Sequence, residues 1–107
     1  MLEQLQNTKI DLQVLDLAYN DLGSESAIHL QHVIPTLVSL NLCSTKLGLK
    51  GCLELARHFN FYSEEHGIQH TALKYLDLSN NNIGAEGFNR LIQKLRYSTQ
   101  LLQLNVS

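Results

Sequence analysis

Three stretches of this 107-residue chain space their apolar residues as L-x-x-L-x-L-x-x-N-x-L. They run through Leu12, Leu15, Leu17, Asn20 and Leu22; through Leu37, Leu40, Leu42, Thr45 and Leu47, with threonine in place of asparagine; and through Leu73, Leu76, Leu78, Asn81 and Ile83. A fourth copy opens with Leu101, Leu104 and Val106 and is cut short by the last residue. The copies therefore start 25, 36 and 28 residues apart. Within each, alternation puts leucines such as Leu15 and Leu17 on one face of a short strand, while Val14, Asp16 and Ala18 point the other way. One such unit cannot enclose a core by itself, so the spacing predicts stacked copies whose strands pair in parallel and whose leucine columns are buried between neighbours.

The spacing resembles that of the leucine-rich repeat family, and the second half of each unit resembles the ribonuclease-inhibitor-like type. That type follows its strand with a turn and a full helix of pattern G-x-x-x-L-x-x-x-L. Gly87, Leu91 and Leu95 match it, as do Gly51, Leu55 and Phe59; Ser26, Leu30 and Ile34 hold the same offsets with serine for glycine. In the third unit Phe88, Leu91, Ile92 and Leu95 form an amphipathic stripe expected to pack behind the strand. The resemblance implies an α/β fold, a right-handed solenoid with a parallel sheet on its concave face and helices on its convex face. Residues 1–107 read as one repeat segment with units starting near 12, 37, 73 and 101. Residues 1–11 read as the tail of a preceding helix, because Leu2 stands ten residues before Leu12 as Leu91 does before Leu101. A longer solenoid is the expectation, with self-association through uncapped ends.

The run Asn80-Asn81-Asn82 belongs to the turn that leaves the third strand. Backbone groups inside such a turn need partners, and one asparagine side chain offers an acceptor and two donors. By resemblance, Asn20, Thr45 and Asn81 form a ladder between successive turns, with Thr45 satisfying its turn less completely. Asn80 and Asn82 are expected to face solvent, Asn82 aided by its tolerance of unusual turn dihedrals.

Charge and composition narrow the function. A net charge of -2 leaves no basic excess for gripping a phosphate backbone, so no nucleic acid is expected. No stretch approaches the ~20 apolar residues that span a bilayer, and no membrane partner is expected. Two cysteines are too few for a disulfide framework, which fits a cytoplasmic or nuclear setting. The second unit is eight residues longer than the third, the excess lying in F-N-F-Y-S-E-E-H-G-I-Q-H, residues 59–70. This stretch reads as a solvated loop, an extra helical turn or an excursion at the convex side. His66 and His70 have a zinc-compatible spacing, but Gly67 interrupts a helix there and no cysteine completes a site. His29 and His32 read as the polar face of a helix. Cys52 aligns with apolar helix positions and should be buried, whereas Cys43 aligns with outward strand positions and has no histidine base beside it. Asp16 and Asp77 stand two units apart, with Asn41 between, which gives no glycosidase pair. No catalytic residue, cofactor or metal is therefore expected.

What remains is the outward strand surface. Its first column is Val14, Ser39, Tyr75 and Gln103; its second is Asp16, Asn41, Asp77 and Asn105; its third is Ala18, Cys43, Ser79 and Ser107. Solenoids bind proteins on such faces, and the resemblance implies a non-catalytic module that holds a protein partner there, with Tyr75 as its aromatic anchor. Two other roles come with the same resemblance: a regulator that activates GTP hydrolysis by a partner, and the sensing segment of a NOD-like receptor.

Overall fold

A computed structural model describes residues 13–65, 67–96, 98 and 100–106 of the chain. The reading of residues 1–11 as a helix tail, together with Leu12, His66 and Ser107, falls outside them. Four short strands make one parallel sheet in the order β1 (Val14–Asp16), β2 (Ser39–Asn41), β5 (Tyr75–Asp77), β6 (Gln103–Asn105). Equivalent positions of the repeat lie directly side by side: Leu15 on Leu40, Leu40 on Leu76, Leu76 on Leu104. The ladder continues past the strands, with the N–H of Leu17 donating to the carbonyl of Asn41 and that of Leu42 to Asp77.

Each strand is followed by helical structure that closes the core. Helix α1 spans Ser26–His29, α2 spans Gly48–Ala56 and α3 spans Gly84–Leu95. Leu17, Leu42 and Leu78 from the strand ends, Leu47 and Ile83 from the turns, and Leu30, Leu55 and Leu91 from the helical halves are all buried. Burying each such side chain contributes roughly 1.5–3 kcal/mol. The glycine of the helical pattern has a steric cause. A Cβ on Gly51 would lie 2.7 Å from Leu47 Cδ1 and 3.0 Å from Ser24 Cα, and one on Gly87 would lie 3.0 Å from Ile83 Cβ and 3.3 Å from Leu49 Cδ1. The glycine's own preceding turn crowds the position most, and the neighbouring unit adds to it. Ser26, at the same offset in the first unit, fits because its hydroxyl turns back to donate to the carbonyl of Gly23 at 2.8 Å.

Three expectations are corrected. The first unit has no full helix: α1 is a single turn, and the chain continues through turns into a 3-10 turn at Ile34–Thr36. Pro35 lacks an amide hydrogen and disfavours helical geometry at Ile34 before it, whereas α2 and α3 contain no proline. Second, the inward stripe of α3 is narrower than four residues. Leu91 and Leu95 are buried with Gly87, but Phe88 and Ile92 are 41% and 43% exposed. Helix α3 packs against α2 on one side, and no helix among the described residues covers the other. Third, the long stretch of the second unit is a β-hairpin rather than a loop or a helical turn. Strand β3 (Asn60–Ser63) runs antiparallel to β4 (Gly67–His70), Asn60 opposite His70 and Tyr62 opposite Ile68. Its base is held where the N–H of Thr71 donates to the carbonyl of Phe59 at 2.7 Å.

Candidate functional site

The sheet face turned away from the leucine core carries the outward columns in register. Val14 aligns with Ser39, Ser39 with Tyr75, and Tyr75 with Gln103; Asp16 aligns with Asn41, Asn41 with Asp77, and Asp77 with Asn105. Tyr75 is 45% exposed, and the depression beside it, about 150 Å³, is bordered by Ser39, Asn41, Asp77, Gln103 and Asn105. Residues 36 positions apart in sequence thus become lateral neighbours, which only the repeat could have revealed.

The second column has a structural duty that its chemistry conceals in the sequence. Asp16 Oδ1 accepts from the N–H of Ala18 at 3.0 Å, Asn41 Oδ1 from Cys43 at 3.0 Å and Asp77 Oδ1 from Ser79 at 2.9 Å. Each side chain closes the turn two residues beyond it, a local bond open to Asp and Asn. Both types satisfy the turn, so their alternation leaves the charge free to vary. The signal was the recurrence of Asp or Asn at one offset.

The third column departs from expectation. Ser79 is buried, not presented to solvent, and its hydroxyl donates to Asp77 Oδ1 at 2.6 Å. Cys43 is half-buried beside it, with Sγ 3.3 Å from Ser79 Oγ and 3.6 Å from Ser44 Oγ. The hydroxyls of Ser79 and then Ser44 hold the Cys43 thiol below its ordinary pKa, against its partial burial and, more weakly, the Asp77 carboxylate. Cys52 is the opposite case: burial pushes its pKa up to about 11, and its thiol points at the carbonyl of Gly87 at 3.7 Å. Among the described residues no group of three or more His, Cys, Asp or Glu could hold a metal ion, and no helix is long and apolar enough to cross a membrane.

The turns beyond the strands hold the sheet's shape. Asn81 is buried and works on two units at once. Its Oδ1 accepts from the N–H groups of Thr45 and Leu47, both at 3.0 Å, and its Nδ2 donates to the carbonyls of Leu42, Leu78 and Ser79. Thr45, also buried, donates its hydroxyl to the carbonyl of Leu42 at 2.9 Å. Toward the first unit it contributes its backbone carbonyl, which receives the N–H groups of Leu22 and Gly23. Asn20 is exposed and, among the described residues, reaches only carbonyls of its own turn, Leu17 and Ala18. Asn80 and Asn82 are exposed as expected, but both adopt left-handed geometry, φ 58° and 59°, and Asn80 Nδ2 donates to Ser44 Oγ across the units. Asn80 therefore also joins adjacent turns.

Residues 8–30 and 69–88 match the family model described as Leucine Rich repeat. These segments contain the first and third copies of the leucine spacing, which the parallel sheet places in register on either side of the second. The two matches support a leucine-rich repeat family. No curated protein matches it.

Proposed function

We propose that this chain is a non-catalytic protein-binding module of the ribonuclease-inhibitor-like type, a solenoid segment that holds a protein partner on the outer face of its sheet. Leucine-rich repeats commonly mediate protein–protein interaction, which gives the general role. The observation that supports this face is the in-register row Val14, Ser39, Tyr75, Gln103, with an exposed aromatic over a shallow depression. Tyrosine contributes a large rigid contact area and a polar tip, features enriched at binding hot spots. The charges of Asp16 and Asp77 give the face a negative character that favours a partner with basic groups.

Capture from cell extract by immobilised wild-type chain, compared with Tyr75→Ala and Asp77→Asn, tests the proposal. Asparagine keeps the oxygen that closes the turn at Ser79 and removes only the charge. Both variants should lose captured protein while retaining the wild-type circular dichroism spectrum, and Gln93→Ala, on the exposed side of α3, should capture normally. Undiminished capture by both sheet variants would remove the site from this face.

A further inference from the structure

The main sheet has two free edges, and the bonds inside it say what each can take. Its order β1-β2-β5-β6 leaves one side of β1 and one side of β6 without a strand among the described residues. The three junctions between these strands use the same backbone bonds. The N–H groups of Leu17, Leu42 and Leu78 donate to the carbonyls of Asn41, Asp77 and Asn105 on the following strand, and those of Ser39, Tyr75 and Gln103 donate back to the carbonyls of Gln13, Val38 and Lys74. By the same pattern the free side of β6 offers the N–H of Val106 and the carbonyl of Leu102, and the free side of β1 offers the N–H of Val14 and the carbonyl of Asp16. The two edges are therefore complementary, each supplying what the other lacks.

The side chains fit the same register. Leu40 and Leu76, inside the leucine row, are 1% and 2% exposed, whereas Leu15 and Leu104 at its two ends are only partly buried. On the outward face the row Asp16, Asn41, Asp77, Asn105 alternates carboxylate and amide, so neighbouring strands, about 4.8 Å apart, never set two carboxylates side by side. A second copy with its β1 against β6 continues that alternation, because Asn105 then meets Asp16. Two like edges that keep their leucine faces on one side can pair only antiparallel, a direction that no junction of this sheet uses. We infer that the chain associates with itself head to tail, the free edge of β6 in one copy pairing in parallel with the free edge of β1 in the next. Gln103 then lies beside Val14, Leu104 beside Leu15 and Asn105 beside Asp16. The two surfaces differ, so each added copy leaves a fresh edge and the series is open-ended. The outward columns, Tyr75 included, stay uncovered.

Sedimentation velocity on the full chain over a range of concentrations supplies the test. Wild type should form a series of growing species. Val106→Pro removes the N–H that donates to Asp16 of the next copy, and Val14→Pro removes the one that donates to Leu102 of the copy before. Each variant alone should be monomeric, and their equimolar mixture should form dimers and nothing larger, since one intact β6 edge and one intact β1 edge remain. Asn105→Asp should weaken association about threefold by setting carboxylates side by side across the junction, and adding Asp16→Asn should restore it. That rescue reads a contact made only between copies, because β1 and β6 are opposite edges of one sheet. Tyr75→Ala should leave association unchanged, which separates this junction from the proposed partner face. A wild type that is monomeric at every concentration would overturn the inference and give the edge to a strand of another protein; dimers in either proline variant alone would overturn it in favour of like edges pairing. A mixture that stays monomeric, or an Asn105→Asp variant that shows no loss or no rescue, would also overturn it. Asn105 and Asp16 are exposed and the two residue types interchange at this offset, so the charge rescue stands even if a proline variant fails to fold.

Discussion

The turn stack between the second and third units and the one between the first and second are built on the same plan with different residues. In the former, Asn81 reaches across and satisfies two amides and one carbonyl of its neighbour while donating to two carbonyls of its own turn. In the latter, Thr45 sends only its backbone carbonyl to the first unit; its hydroxyl points away from that unit, donating to the carbonyl of Leu42 and lying 3.3 Å from Asn81 Oδ1. The flanking residues differ in the same sense. Left-handed geometry is occupied by Asn80 and Asn82 in the third unit but by Ser44 and Lys46 in the second, at φ 54° and 60°. Asparagine is tolerated there far better than a long side chain. The asparagine run therefore serves two purposes: its middle member bonds successive turns, and its outer members fit the backbone that lets the middle one reach.

The largest expected effect comes from removing that middle member. Asn81→Ala would leave the amides of Thr45 and Leu47 without their acceptor in a buried turn, a loss of about 2–4 kcal/mol. Asn20→Ala, at the equivalent offset, removes bonds confined to one exposed turn and should cost less than ~1 kcal/mol. Urea denaturation of the two variants measures the difference. Equal midpoints would mean that the two turns are equivalent and that the crossing bonds contribute nothing.

Much of this contrast was legible in the sequence, because the leucine spacing fixes both the strand alternation and the relation between units. The columns Val14 to Gln103 and Asp16 to Asn105 follow from that alone. The burial of Cys52 was equally readable, and the crossing role of Asn81 was what the family resemblance implied. What was hidden depended on contacts or on competing local preferences. Phe88 and Ile92 have the periodicity of a buried stripe, but burial requires a neighbour, and periodicity does not say where the neighbour stops. The one-turn α1 was foreshadowed by Pro35 yet masked by the matching offsets of Leu30 and Ile34. The hairpin β3–β4 was obscured by a polar segment whose strands pair with each other rather than with the main sheet. Asp16, Asn41 and Asp77 looked like surface chemistry because their bonds to the backbone two residues on leave no periodic apolar trace.

A smaller effect should come from exchanging a flanking residue between the stacks. Lys46→Asn places at φ 60° the residue type that Asn82 already provides at φ 59° in the third unit. It gives up the ion pair with Asp21 at 3.2 Å, but both partners are more than 70% exposed and such pairs contribute little. Relief of backbone strain should dominate, a gain of about 0.5 kcal/mol, and Asn82→Lys should lose a similar amount. Urea midpoints that move oppositely in the two variants would support the backbone account. A loss in Lys46→Asn would show that the Asp21 pair outweighs the strain.

The smallest effect concerns pH, and it separates the two stacks by their chemistry. The asparagine layer does not titrate in the ordinary range. His58, just beyond α2, does: burial lowers its pKa from the ordinary 6.5, with the Glu54 carboxylate, 3.4 Å from Nε2, opposing that shift, and Arg57 and His32 adding to it. His32 belongs to the first unit, so this charge balance sits between the first and second units. Because the folded pKa is below the unfolded one, the unfolded chain binds more protons in the window between them. The contribution of His58 is fully present above pH 6.5 and is lost as pH falls from there through the folded pKa. Melting temperatures followed from neutral pH into that window should fall in the wild type and fall less in His58→Gln. An identical pH dependence in both proteins would assign the acid sensitivity to other groups and leave the two stacks alike in this respect.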